Sequence, residues 1–193
     1  MSEESARSAM VAYGARLWQR GLVSGTSGNV SVKLDGGDLL VTPSGRSLGT
    51  LGVDDIVRVG GDGTPRDAAR RPTSELPLHL AAYRVRADVR CVVHTHPTFC
   101  VVWSVRGRSF PQETVGARET LGPVAWTSYR PNGSQELAEA CAEAFAKNFD
   151  VVLMERHGLS AISEDLERAF DLTDQAEDAA RVAYFASLSW STE

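Results

Sequence analysis

Hydrophobic positions near the start of the chain recur at helical spacing. Met10, Tyr13, Gly14 and Leu17 fall on one face of a helix expected over Glu3–Arg20, and Gly21 stands where a left-handed C-cap closes such a helix. Short apolar runs then predict strands at Val30–Lys33, Leu39–Val41 and Ile56–Val59, with the Asp35-Gly36-Gly37-Asp38 turn joining the first two as a hairpin. Ser74 is expected to cap a Leu- and Ala-rich helix over Glu75–Arg86. Cys91–His94 reads as a buried strand, and a short helix is expected after Pro97, since proline is tolerated in a first helical turn. Further strands are expected at Val124–Trp126, Val151–Met154 and Gly158–Ile162. Helices are expected over Gln135–Lys147 and, capped by Ser163, over Asp165–Leu188. The elements mix without the regular alternation of a doubly wound sheet. This order predicts an α/β protein: one three-layer α/β/α domain over residues 1–193 with a mostly antiparallel central sheet.

Composition supports a folded chain. The 193 residues are 42% hydrophobic and 23% charged, so a core forms without covalent staples. Acidic residues outnumber basic ones by 25 to 20, a net charge of −5 that argues against nucleic acid as a partner. A small anion needs only a local positive site and stays compatible with this balance. The three cysteines, Cys91, Cys100 and Cys141, form no C-x-x-C pair, which disfavours both a disulfide framework and a cysteine zinc knuckle. Reduced thiols, an acidic Met-Ser-Glu-Glu start and no apolar run of membrane-spanning length lead to the expectation of a soluble, cytoplasmic protein without a membrane partner.

The chemistry concentrates in histidine. His94-Thr95-His96 ends a strand-like run, and side chains at i and i+2 of an extended backbone share a face, so both imidazoles can reach one ion. Taken alone, such a pair is equally compatible with two hydrogen-bonded rings at a sheet end. His157, 61 residues beyond His96 and also at the end of an apolar run, changes the balance. Three histidines with one open position are the arrangement of a catalytic Zn²⁺ site, although imidazoles also suit other transition metals. His79, at i+4 from Glu75 on the same expected helix, fits a hydrogen-bonded supporting role better than ligation.

Three loops could hold an anion. Ser24-Gly25-Thr26-Ser27-Gly28-Asn29 and Thr42-Pro43-Ser44-Gly45-Arg46 combine glycine with small polar side chains, which allows close approach of backbone N–H groups. Thr73-Ser74 stand at an expected helix N-terminus. Each is an ordinary turn signal by itself. Together, beside three histidines and a carboxylate, they describe a site.

Five segments carry a resemblance to a known family: Gly25–Ser31, Thr42–Gly45, Pro72–Glu75, Val93–His96 and Arg156–Gly158. In order and spacing, from about residue 5 to residue 187, the chain resembles the class II aldolase/adducin family, and within it the short sugar-phosphate aldolases of the L-fuculose-1-phosphate type. The resemblance implies a divalent metal, generally Zn²⁺ with Mn²⁺ or Co²⁺ as possible substitutes, held by His94, His96 and His157, with Glu75 as the catalytic acid/base. It implies phosphate binding by Thr26, Asn29, Ser44, Gly45, Thr73 and Ser74, and a homotetramer with active sites at subunit interfaces. The activity it implies is cleavage of a phosphorylated sugar, a 2-keto-sugar 1-phosphate, to dihydroxyacetone phosphate and an aldehyde through a metal-stabilised enediolate.

The sequence departs from the fuculose-phosphate aldolases over Pro111–Ala117, where they carry a proton-donating tyrosine and this chain has none. Ser47–Leu51 and Tyr129–Pro131 are more similar to 3-oxo-tetronate 4-phosphate decarboxylases. Decarboxylase, dehydratase and 4-epimerase outcomes therefore remain as alternatives. A non-enzymatic adducin-like module is the least favoured reading, because all three histidines and Glu75 are present.

Overall fold

In the structure, a computed structural model, residues 2–66, 70–106 and 109–188 are described. Seven strands form one sheet: β1 (Asn29–Lys33), β2 (Leu39–Val41), β3 (Val57–Val59), β4 (Cys91–Thr95), β5 (Val124–Thr127), β6 (Val151–Met154) and β7 (Gly158–Ser163). Their order is β3-β2-β1-β4-β7-β6-β5. Every neighbouring pair is antiparallel except β5 and β6. The mostly antiparallel sheet read from the sequence is present.

Helices cover both faces. On one side α2 (Leu76–Val85) packs on α4 (Gln135–Phe145); on the other α5 (Leu166–Ala186) packs on α1 (Glu3–Gln19) and α3 (Thr98–Arg106). The central strand β4 shows why two helical layers are needed. It is buried along its whole length, and its side chains alternate between the layers, as the two-residue period of a strand requires. Val92 joins the α2/α4 core with Leu137, Phe145 and Val152, whereas Cys91 and Val93 join Met10, Leu17 and Phe170 on the opposite side. All three cysteines are buried free thiols. Among the described residues no helix is long and apolar enough to cross a membrane.

Two caps differ from expectation. Helix α2 begins at Leu76 with Glu75 as its N-cap residue, and the Ser74 side chain does not cap it. The Thr73 hydroxyl accepts the Glu75 N–H at 3.2 Å instead, and Pro77 occupies the first turn, where its missing N–H costs nothing. Ser163 does not cap α5, because it is still paired with Cys91 as the last residue of β7. The cap is Asp165, whose carboxylate accepts the Arg168 N–H at 2.7 Å. A π-helical segment over Ala117–Leu121 and 3₁₀ turns at Leu48–Thr50 and Val53–Asp55 were not apparent in the periodicity.

Candidate metal centre and substrate cleft

The sheet register brings the chemical residues together. Asn29 on β1 lies opposite His94 on β4, and Thr95 lies opposite Leu159 on β7. The strand preceding His157, β6, is separated from β4 by β7, so it is not the neighbour that aligns this histidine. The short turn 155–157 returns the chain directly into β7 and delivers His157 beside the end of β4. Arg156 occupies the left-handed region in this turn (φ 57°), and its N–H donates to Ser104 Oγ at 2.9 Å. A left-handed non-glycine residue costs roughly 1–2 kcal/mol, so the surrounding structure must impose this turn.

Gly158 makes the closeness possible. A Cβ there would overlap the Thr95 carbonyl oxygen and lie 2.7 Å from His96 Cδ2. Gly158→Ala is therefore expected to separate β7 from the end of β4 and turn the His96 ring away. The expected results are a stability loss of about 1–3 kcal/mol in denaturant titration and weaker metal binding in calorimetry.

The three imidazoles form a triangle with centroids 4.8–5.0 Å apart. Glu75 completes the group: its Oε2 is 2.6 Å from His94 Nε2, and its Oε1 is 3.4 Å from His157 Nε2. His94 Nε2 and His96 Nε2 are 2.8 Å apart. His94 Nδ1 donates to the Leu159 carbonyl at 3.0 Å, which turns Nε2 toward the cluster. Burial, with the neighbouring rings, pushes His96 down to about 3 and His157 down to about 4, so both are neutral at physiological pH. Burial also opposes ionisation of Glu75, but the adjacent His94 and His157 rings and the Asn29 amide outweigh it and hold the carboxyl well below the usual carboxylate range.

These facts test whether a cation fits. One donor atom from each of Glu75, His94, His96 and His157 falls within 4.8 Å of the others. Several lone pairs thus converge on one point, an arrangement that repels itself until a positive charge sits there. Glu75 Oε1 and both ring nitrogens of His157 are buried without a hydrogen-bond partner among the described residues. Buried polar atoms are seldom left so, and a cation would engage the Glu75 carboxylate and the His157 Nε2 that faces it. Neutral nitrogen and carboxylate donors suit a divalent transition metal.

Next to the cluster is a cleft of about 80 Å³. Thr26, Asn29, Ser44, Gly45, Thr73 and Ser74 all line it, together with Glu75, His96 and Asn132. The backbone explains the convergence. Ser44 N–H donates to the Arg71 carbonyl and Thr73 N–H to the Thr42 carbonyl, both at 3.0 Å, which zips the second loop to the third around the Pro43–Pro72 bridge. The chain entering the first loop is tied to the end of β4 by the His96 N–H to Leu22 carbonyl bond at 3.1 Å. Within that loop Gly28 takes φ +78°, and a Cβ there would collide with Val23. A larger hollow of about 610 Å³ lies between β5 and α4, but its lining includes none of the histidines or Glu75.

Two sets of residues here were not singled out by sequence. Asn132 enters from the turn before α4, where Gly133 (φ +69°) backs onto the Ser74 carbonyl. The Pro-Asn-Gly signal marks a turn, but nothing local says where the turn will lie. Ser104 and Ser160 support the histidine cluster, Ser104 by accepting from Arg156 and Ser160 by lying 3.1 Å from His94 Nδ1. Arg130 bonds to Ser128 Oγ and to the Tyr129 carbonyl.

His79 bears out its supporting role. It is fully buried, with Nε2 2.6 Å from Asn29 Oδ1 and Nδ1 2.6 Å from Ser31 Oγ. Asn29 Nδ2 in turn donates to Glu75 Oε2 at 3.2 Å. Burial pushes His79 down to about 3, so this ring is also neutral.

Comparison with known proteins agrees with the geometry. The family model for the class II aldolase and adducin N-terminal domain matches residues 8–184. An L-fuculose phosphate aldolase of Methanococcus maripaludis is 33% identical over 168 residues, covering 87% of this chain and 90% of that protein. A 5-deoxy-D-ribulose 1-phosphate aldolase of Bacillus thuringiensis is 31% identical, covering 92% of this chain and 84% of that protein. Among solved structures, YgbL of Escherichia coli superposes with a TM-score of 0.87 at 28% identity, covering 96% of this chain and 91% of YgbL. Together with the cluster of one glutamate and three histidines, this similarity points to a divalent metal, of unspecified identity. The chain belongs to the class II aldolase and adducin N-terminal domain family and is an enzyme of the lyase type.

Proposed function

We propose that the protein is a zinc-dependent class II aldolase, assembled as a homotetramer, that cleaves a 2-keto-sugar 1-phosphate of the fuculose or ribulose type to dihydroxyacetone phosphate and an aldehyde. The observation that carries this reading is the position of Glu75, in contact with the histidine triangle and on the wall of a cleft lined by anion-binding groups. His94, His96 and His157 would hold the cation, whose contribution when bound is Lewis-acid polarisation of substrate oxygens. Thr26, Ser44, Gly45, Thr73 and Ser74 hold the phosphate, fixing the reacting carbons beside the carboxylate. Asn29 also lines this cleft; with Nδ2 already donating to Glu75, its second N–H is available to the same anion.

The two oxygens of Glu75 are inequivalent. Oε2 accepts from Asn29 and contacts His94, whereas Oε1 has no hydrogen-bond partner among the described residues. Oε1 is thus the atom that takes the proton given up by the C4 hydroxyl as the C3–C4 bond breaks and returns it to the C3 carbon. The buried setting excludes bulk water, a competing proton source.

A second reading, decarboxylation of a 3-oxo-tetronate 4-phosphate, is favoured by one observation: no tyrosine lines the cleft among the described residues. Decarboxylation has no aldehyde oxygen to protonate and so has no need of that donor. Assay of the zinc-loaded enzyme against L-fuculose 1-phosphate, ribulose 1-phosphate and 3-oxo-tetronate 4-phosphate decides between them. Dihydroxyacetone phosphate from either ketose phosphate is the expected product. Carbon dioxide from the tetronate, with no ketose cleavage, would replace the aldolase reading by the second.

A further inference from the structure

A buried polar chain runs from Glu75 away from the cleft, and the mechanism above uses only its first member. Its links are Glu75 Oε2 to Asn29 Nδ2 (3.2 Å), Asn29 Oδ1 to His79 Nε2 (2.6 Å), His79 Nδ1 to Ser31 Oγ (2.6 Å) and Ser31 Oγ to Tyr83 Oη (2.7 Å). Glu75, Asn29, Ser31, His79 and Tyr83 are all buried, so each link replaces a bond that water would otherwise make.

The Glu75 end determines the direction of every link. An ionised carboxylate only accepts, so Asn29 must present its NH₂ to Glu75 and its carbonyl oxygen to His79. That oxygen also only accepts, which places the single proton of the neutral His79 ring on Nε2. Nδ1 then lacks a proton and must accept from the Ser31 hydroxyl. The Ser31 oxygen, having given its hydrogen to His79, accepts the hydrogen of Tyr83 at 2.7 Å, a much shorter contact than the 3.4 Å from Tyr83 Oη to the Arg90 carbonyl. Reversing either link of the Asn29 amide turns its carbonyl oxygen against the Glu75 carboxylate. The chain cannot serve as a proton wire, because a neutral amide does not pass a proton along at ordinary pH.

We propose that His79 is a positioning residue: donating from Nε2 to the Asn29 carbonyl oxygen and accepting from Ser31 at Nδ1, it locks the Asn29 amide so that its NH₂ always faces Glu75. This lock keeps Oε2 occupied and leaves Oε1 as the oxygen that works on substrate. The proposal deepens the aldolase reading and depends on it only for the kinetic arm of its test.

The first arm reads the tautomer directly. Long-range proton–nitrogen NMR of imidazole-labelled enzyme, with and without zinc, is expected to show the His79 proton on Nε2; a proton on Nδ1 overturns the proposal. The second arm is kinetic. His79→Leu is expected to lower kcat about 10–100-fold, the usual range for a hydrogen-bonded group supporting a metal site, with KM for the ketose phosphate within about twofold. His79→Gln, which keeps an N–H toward Asn29, is expected to recover most of kcat. Equal losses in the two variants, or losses that track falling thermal stability, overturn the proposal. Ser31→Ala, a smaller change, is expected to lower kcat in the same direction and to add nothing to His79→Leu in the double variant; additive losses contradict a single chain. If the wild-type enzyme cleaves none of the ketose phosphates, the aldolase reading falls while the tautomer measurement still decides the lock.

Discussion

Glu75→Gln is expected to lower turnover by about 10²–10⁴-fold, the usual worth of a positioned acid/base, while the protein still binds its metal through three histidines. Glutamine keeps the size of the side chain and an oxygen acceptor for the Asn29 N–H that Glu75 now receives at 3.2 Å. It removes only the capacity to take and return a proton at Oε1. A stopped or single-turnover assay on the zinc-loaded variant separates this from loss of metal. Near wild-type turnover at full metal occupancy would remove Glu75 from the chemistry. The effect should lie in kcat rather than KM, because the groups expected to hold the phosphate, Thr26, Ser44 and Thr73, are untouched.

The second large effect is expected from His96→Ala. The variant should lose bound metal and, with it, all cleavage above background, yet remain folded. His96 Nε2 is 2.8 Å from His94 Nε2 and burial keeps the His96 ring neutral, so its truncation removes no charge that holds the metal-free protein together. His96 lies just beyond β4, and its truncation breaks no strand pairing. The loss of metal affinity should exceed the roughly 10–100-fold that follows removal of an outer hydrogen-bonding partner. Circular dichroism and thermal melting of the metal-free variant, beside metal-free wild type, check the fold; titration with zinc checks the affinity. Wild-type zinc affinity in His96→Ala would remove this ring from the ligand set.

Particular residues show how much of this was legible in the sequence. The pairing of His94 with His96 follows from the two-residue period of a strand, and the structure brings their Nε2 atoms together. The convergence of His157 was legible only as a histidine at the end of an apolar run. Its placement depends on β7 lying between β4 and β6, a long-range pairing that no local pattern encodes. The three candidate anion loops were individually ordinary; the backbone zipper between Thr42–Ser44 and Arg71–Thr73 assembles the second and third, and the first is held at the end of β4 by the His96–Leu22 bond. Ser74 had the chemistry of a cap and does not act as one, because Thr73 already accepts the Glu75 N–H and the helix starts one residue later. Ser163 was misread for a comparable reason, since strand pairing with Cys91 extends through it. His79 was read correctly as a supporting residue from its i+4 relation to Glu75. Its actual partners, Asn29 and Ser31, are instead set by where α2 crosses β1. Asn132 was missed altogether: Pro-Asn-Gly signals a turn, while its approach to Ser74 is tertiary.

The central claim is that three imidazoles grip one divalent cation beside Glu75. Elemental analysis of protein produced without a polyhistidine tag, from cells grown with adequate zinc, tests it most directly. The account predicts about one equivalent of divalent metal per chain in the wild type and less than about a tenth of that in each of His94→Ala, His96→Ala and His157→Ala. A folded wild-type protein carrying less than about a tenth of an equivalent, and taking up no zinc on titration, would contradict it.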